Sequence, residues 1–163
     1  MKHRILSLAL LLAATPLAHA HQHGHAMAAA AAPASGAPDG VSIDDCWIRA
    51  MPANLPSAGY FIVRNRGEQP VQLTGIAADA FGHSMLHQTV QRDGMSRMEM
   101  AHDIQVPAKG ELAFTPGGYH AMLEQPHAEL TVGSTLPVAF HFGQAGQLTA
   151  ECTVRPPGAT GNK

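Results

Sequence analysis

The sequence predicts an all-β domain, a sandwich or barrel of Greek-key type, on three observations. Short runs rich in β-branched and aromatic residues recur at close intervals from Val41 to Val154. Gly-, Pro- and Asx-containing turns separate them, and no stretch carries a sustained helical period.

The elements follow in order. Val41 to Arg49 alternates loosely and puts Ile43, Asp45, Trp47 and Arg49 on one side. Met51 to Ser57 carries Pro52 and Pro56 and is a loop. Gly59 to Val63 is a compact strand closed by the turn Asn65-Arg66-Gly67. Val71 to Ala77 is a third strand, and Ala77 to Ala80 has room for one turn of helix. Gly82 to Gln91 is a fourth strand, Asp93-Gly94 a hairpin turn, and Met95 to Met100 the returning strand. Ile104 to Val106 and Glu111 to Thr115 flank the turn Pro107 to Gly110. Tyr119 to Leu123 follows Gly117-Gly118, and Leu136 to Phe142 and Gln147 to Val154 form a last hairpin around Gly143 to Gly146.

The chain ends are of a different kind. Lys2, His3 and Arg4 precede an apolar run from Ile5 to Ala14, and Ala18-His19-Ala20 fits a small-x-small cleavage site. Residues 1–20 are therefore expected to be a secretory signal peptide, which exports the protein from the cytoplasm. The run is shorter than the ~20 apolar residues of a membrane helix, and no later stretch reaches that length, so no span is expected after processing. Residues 21–40 read as a disordered His/Ala/Pro-rich tail, 41–155 as the β domain, and 156–163 as a disordered polar tail. Export also favours disulfides. Cys46 and Cys152 sit near the two ends of the domain and form no Cys-x-x-Cys pair. They read as a staple between first and last strands; a thiol copper site is the alternative, and would require both to be reduced and close to the other metal donors.

Composition narrows the chemistry. Only 13% of residues are charged, and 10 Lys and Arg stand against 12 Asp and Glu. Without a basic cluster, a nucleic-acid partner is excluded. The surplus is in soft and borderline ligands, with 11 His and 8 Met. His120 and Met122 are two apart and share a strand face, as do His83, Met85 and His87. The Asp93-Gly94 hairpin brings Met98 back towards His87. Two imidazoles and two thioethers then converge at one rim, a set that favours Cu(I) over zinc or iron. A blue-copper electron-transfer site would need a cysteine thiolate, and neither cysteine lies near this stretch. Met85 reads as packing ahead of a donor role, and Met51, Met95, Met100, His102, His127 and His141 as surface or packing residues. If the leader is cleaved after Ala20, the chain begins His21-Gln22-His23-Gly24-His25-Ala26-Met27. A free amine, backbone nitrogens and the third-position His23 could then hold Cu(II) in a square plane, with His25 and Met27 as further donors.

The spacing of His87, Met98, His120 and Met122 is His-x10-Met-x21-His-x-Met, and in this the chain resembles the PCuAC family of periplasmic copper chaperones. Trp47-Ile48-Arg49-Ala50-Met51-Pro52, Ala58-Gly59-Tyr60-Phe61, Asn65, Gly94-Met95, Pro107-Ala108 and Pro116 to Leu123 carry the resemblance over roughly residues 41–155. It implies a cupredoxin-like β-sandwich, not an enzyme, that holds Cu(I) through those four side chains. It further implies delivery to the dinuclear copper centre of cytochrome c oxidase, either directly to the oxidase copper subunit or through a thiol-bearing assembly protein, by a chain expected to be monomeric. Copper buffering for tolerance is the alternative role. The cysteine pair and the N-terminal histidines depart from the family pattern without removing a ligand.

Overall fold

A computed structural model of the chain describes residues 36–161. The leader and the segment His21 to Met27 lie outside the described residues. Eleven strands make up the architecture: β1 (Val41–Arg49), β2 (Ser57–Asn65), β3 (Val71–Leu73), β4 (Gly75–Ala77), β5 (Phe81–Arg92), β6 (Met95–Met100), β7 (Ile104–Val106), β8 (Gly110–Phe114), β9 (Tyr119–Pro126), β10 (Thr135–His141) and β11 (Gln147–Arg155). Hydrogen bonding runs in the order β4-β10-β11-β1-β2-β9-β5-β6, with β8 attached to β2, while β3 and β7 form a separate pair. The first strand runs parallel to the last, and every other pairing is antiparallel. The result is the all-β sandwich that the strand pattern predicts.

Alternation decides what fills it. Phe61 and Val63 of β2 face inward, where Phe61 stacks on Phe114 at 4.2 Å between centroids and meets the edge of Phe140 at 4.8 Å. Leu86 of β5 and Ala121 and Leu123 of β9 join the same core. One polar group is buried with them at full satisfaction. The Asn65 amide donates to the carbonyls of Gln69 and Val106, and its oxygen accepts from Gly67 N–H, which closes the turn after β2.

The structure departs from the sequence reading at four places. The run Val71 to Ala77 splits at Thr74, whose N–H and hydroxyl both donate to the His141 carbonyl. Its halves pair with different strands, β3 with β7 and β4 with β10. Residues 78–80 form a turn closed by Phe81 N–H on the Ala78 carbonyl, not a turn of helix. Residues 36–40, assigned by composition to the tail, are hydrogen-bonded to the domain: Gly36 accepts from Gln147 N–H and Gly40 from Arg66 N–H, and Pro38 is buried. Finally, β1 does not keep one alternation. Asp45 takes a left-handed backbone (φ 49°), and the register against β2 slips between Asp44 and Trp47. This bulge inserts one residue, so Ile43 lies opposite Val63 on the core side while Trp47 and Arg49 turn to the other face.

Cys46 and Cys152 are bonded, with Cα atoms 4.5 Å apart on the adjacent strands β1 and β11, and both are buried. The bridge closes a loop of 106 residues. Removing it, by reduction or by Cys46→Ser with Cys152→Ser, is expected to cost about 2–5 kcal/mol of stability. Urea unfolding of the oxidised and reduced protein measures this, and coincident midpoints would refute it.

Candidate metal centre

Strand register places the donors. Across β5 and β9, His87 lies opposite His120 and Met85 opposite Met122. Across β5 and β6, Thr89 lies opposite Met98 and His87 opposite Met100. Directly opposed residues share a face, so His87, Met98, His120 and Met122 stand together on the face turned away from Leu86, Ala121 and Leu123. The two-residue turn that brings Met98 back has both central residues at positive φ, Asp93 at 54° and Gly94 at 75°, as a type I′ hairpin requires.

The two imidazoles are held differently. His120 is buried, and its Nδ1 lies 3.0 Å from the carbonyl of Gly118. A carbonyl only accepts, so Nδ1 carries the proton and Nε2 keeps its lone pair. The same carbonyl accepts from Thr89 N–H, tying the turn before β9 to β5. Gly117, at φ 85°, supplies the left-handed step of that turn. The His87 ring stands 5.9 Å from that of His120, centroid to centroid, edge to face. Both its nitrogens are shielded from solvent and have no hydrogen-bond partner. An unpartnered buried imidazole is costly unless something binds it, and a metal ion is one partner that its nitrogens could accept.

A cavity of 330 Å³ opens beside this pair, and Met98, His120 and Met122 line it. Its remaining wall includes Thr89, Gly117, Ala58, Tyr60 and Arg49. Met98 is 55% exposed on the outermost strand, against 7% for His120. Met98 thus lies on the solvent side and His120 within the sheet, with His87 and Met122 half-buried between them. Among the described residues no three His, Cys, Asp or Glu side chains come together. A metal here would depend on methionine sulfur, which points to a soft ion. Neither Cys46 nor Cys152 is a thiol available to it. His21, His23, His25 and Met27 lie outside the described residues.

Sequence reasoning missed two neighbours. Met100, assigned to packing, is exposed and opposes His87 on the donor face. Arg49 reaches the cavity because the Asp45 bulge turns it there; it donates to the Tyr60 hydroxyl and lies over the Tyr60 ring, 5.1 Å from its centroid. Burial raises the Tyr60 pKa above its ordinary value, against the opposing pull of Arg49. The signal for the bulge was the change of phase in the apolar alternation, from Val41 and Ile43 to Cys46 and Ile48.

Comparison with known proteins bears on the fold and the family. The sequence profile of the family described as "Putative lipoprotein LpqE-like" matches residues 41–154. A putative lipoprotein, Lxx21020, of Leifsonia xyli subsp. xyli is 31% identical over 105 residues, 64% of this chain and 63% of that protein. The uncharacterized protein RP573 of Rickettsia prowazekii is 30% identical over 87 residues, 53% and 48% of the two chains. The chain thus matches less than two-thirds of the length of either curated relative. Among solved structures, the copper-bound PCuAC domain from PmoF2 superposes with a TM-score of 0.62 at 22% identity, covering 76% of this chain and 99% of that one. The Cu(I) form of DR1885 from Deinococcus radiodurans gives a TM-score of 0.56 at 27% identity, over 73% and 80%. The fold is that of the PCuAC domains.

Burial lowers the pKa of His87 below its ordinary 6.5, and the neighbouring His120 lowers it further, while Glu124 opposes both. The sign of the linkage follows. Between the depressed folded value and the unfolded value, the unfolded chain binds more protons, so this group's contribution to stability rises with pH through that window. Acidification below about 6.5 should destabilise the apoprotein through this group. An NMR titration of the His87 ring should give a midpoint below 6.5; a midpoint at or above that value would refute the assignment.

Proposed function

Because this chain belongs to the LpqE-like family, we propose that it is an exported copper carrier that holds Cu(I) through His87, Met98, His120 and Met122. It delivers the ion by ligand exchange to the dinuclear copper centre of cytochrome c oxidase, directly or through a thiol-bearing assembly protein. It works in the periplasm, as a monomer, and catalyses no reaction; copper is its cargo. The observation that carries this reading is the shielded, unpartnered imidazole of His87, facing His120 beside a cavity walled by two thioethers. The copper-bound and Cu(I) forms of similarly folded domains support it.

The donor set suits a carrier. Four neutral ligands do not cancel the charge of the ion, so they hold a monovalent ion better than a divalent one. The Gly118 carbonyl would fix the His120 ring with Nε2 towards the metal, as supporting hydrogen bonds do in metal sites. Exposed Met98 gives an acceptor access to the ion without unfolding of the sheet. A second reading, copper buffering for tolerance, draws on the sequence His21 to Met27, which offers a separate Cu(II) address.

Two measurements test the reading. Met98→Leu with Met122→Leu should abolish Cu(I) binding, scored by competition with a chromophoric chelator, and leave the β-sheet circular dichroism unchanged; Cu(I) binding that survives the double change would refute the site. Deleting the gene should lower oxidase activity under copper limitation, whereas sensitivity to excess copper alone would establish buffering instead.

A further inference from the structure

The register that builds the donor face also brings a fixed positive charge to it. Arg49 of β1 opposes Ala58 of β2, Ala58 opposes Met122 of β9, and Met122 opposes Met85 of β5. On the other side Arg49 opposes Arg155 of β11. One row across five strands therefore reads guanidinium, guanidinium, methyl, thioether, thioether. Ala58 is small, and the long side chain of Arg49 crosses it to the same cavity wall as Met122, His120 and Met98. The guanidinium is held there by the face and hydroxyl of Tyr60, which is itself buried. A phenol is neutral at physiological pH, so Tyr60 positions the charge without cancelling it. No carboxylate lines the cavity. Glu124, which acts on His87, lies two residues beyond Met122 along β9 and is not part of its wall.

We propose that Arg49 is a specificity-determining residue that makes the pocket select the monovalent over the divalent copper ion. The proposal rests on the reading of this site as a copper site. With four neutral donors, the ion enters as +1 or +2, and repulsion by a fixed guanidinium is twice as large for the second. Two strand spacings, about 10 Å, separate the backbones of Arg49 and Met122 and set an upper scale for the distance between guanidinium and ion. At that distance and an effective permittivity near 20, one extra unit of charge costs enough to change the affinity ratio on the order of tenfold. Arg49 weakens Cu(I) somewhat and Cu(II) much more. It thereby adds charge discrimination to the softness of the thioethers, and does so without touching the metal.

The test uses the full chain carrying His21→Ala, His23→Ala and His25→Ala, so that the N-terminal imidazoles do not take Cu(II). Dissociation constants for Cu(I) and Cu(II) are measured by competition in this background and with Arg49→Gln or Arg49→Lys added. Arg49→Gln should lower the ratio of the Cu(II) to the Cu(I) constant about tenfold, equivalent to a fall of about 59 mV in the potential of the bound ion. Arg49→Lys, which keeps the charge, should leave the ratio within about twofold of the parent. Cu(I) bound with an unchanged ratio in Arg49→Gln overturns the proposal. An equal change in both variants overturns it as well, because the effect would then lie in packing and not in charge. Failure of the parent to bind Cu(I) at all is a different result, and counts against the copper site itself.

Discussion

The structure depends on one register, that of β5 against β9. His87 faces His120 because Leu86 faces Ala121, and Leu86 and Ala121 are core residues. A slip of β5 by one residue would send His87 into the hydrophobic interior and Leu86 to the surface, so burial of the apolar face fixes the donor face at the same time. The Gly118 carbonyl makes the link explicit. It accepts a backbone bond from Thr89 and a side-chain bond from His120, so one oxygen sets both the strand pairing and the ring orientation. The register that packs the core therefore also sets the two imidazoles side by side.

The cost of that preorganisation falls on His87. Its ring nitrogens are dry and unpartnered, and desolvation already biases the ring towards the neutral form that can ligate. An imidazole with a lowered pKa would meet less proton competition if a metal bound it. The disulfide sits at a distance in the chemical sense. It ties β1 to β11, the one parallel pair in the sheet, and its sulfurs take no part in the donor set.

Much of this was legible in the sequence because period-2 alternation is a local property. His120 and Met122 sharing a face, and the return of Met98 through Asp93-Gly94, need only strand geometry and a turn with positive φ. What was not legible required information from elsewhere in the chain. The bulge at Asp45 reverses the faces of β1, and its mark between Val41 and Arg49 is slight: the apolar positions change phase across Asp44-Asp45, from Val41 and Ile43 to Cys46 and Ile48, at a residue type that tolerates a left-handed backbone. The split at Thr74 depends on the His141 carbonyl, 67 residues away. The placement of residues 36–40 depends on Gln147 and Arg66. Composition sees only alanine, proline and glycine there. Met100 was passed over because its significance lies in which residue it opposes, not in its spacing from the other donors.

The asymmetry of the site gives its exchange a direction. His120 is almost closed to solvent and locked by Gly118, whereas Met98 lies largely exposed on β6, the last strand of the sheet. Moving Met98 aside breaks no core packing, since all six residues of β6 are exposed. Moving His120 would break the turn and the strand pairing together. A departing ion would therefore lose the Met98 thioether first, and an incoming donor would take that position while the imidazoles still hold the metal. On the proposed copper site, exchange would proceed through a mixed complex formed on the outer strand, without release of a free ion. Such exchange would suit the proposed carrier, and it would follow from placing the Met98 thioether on the outer strand while His120 is held within the sheet.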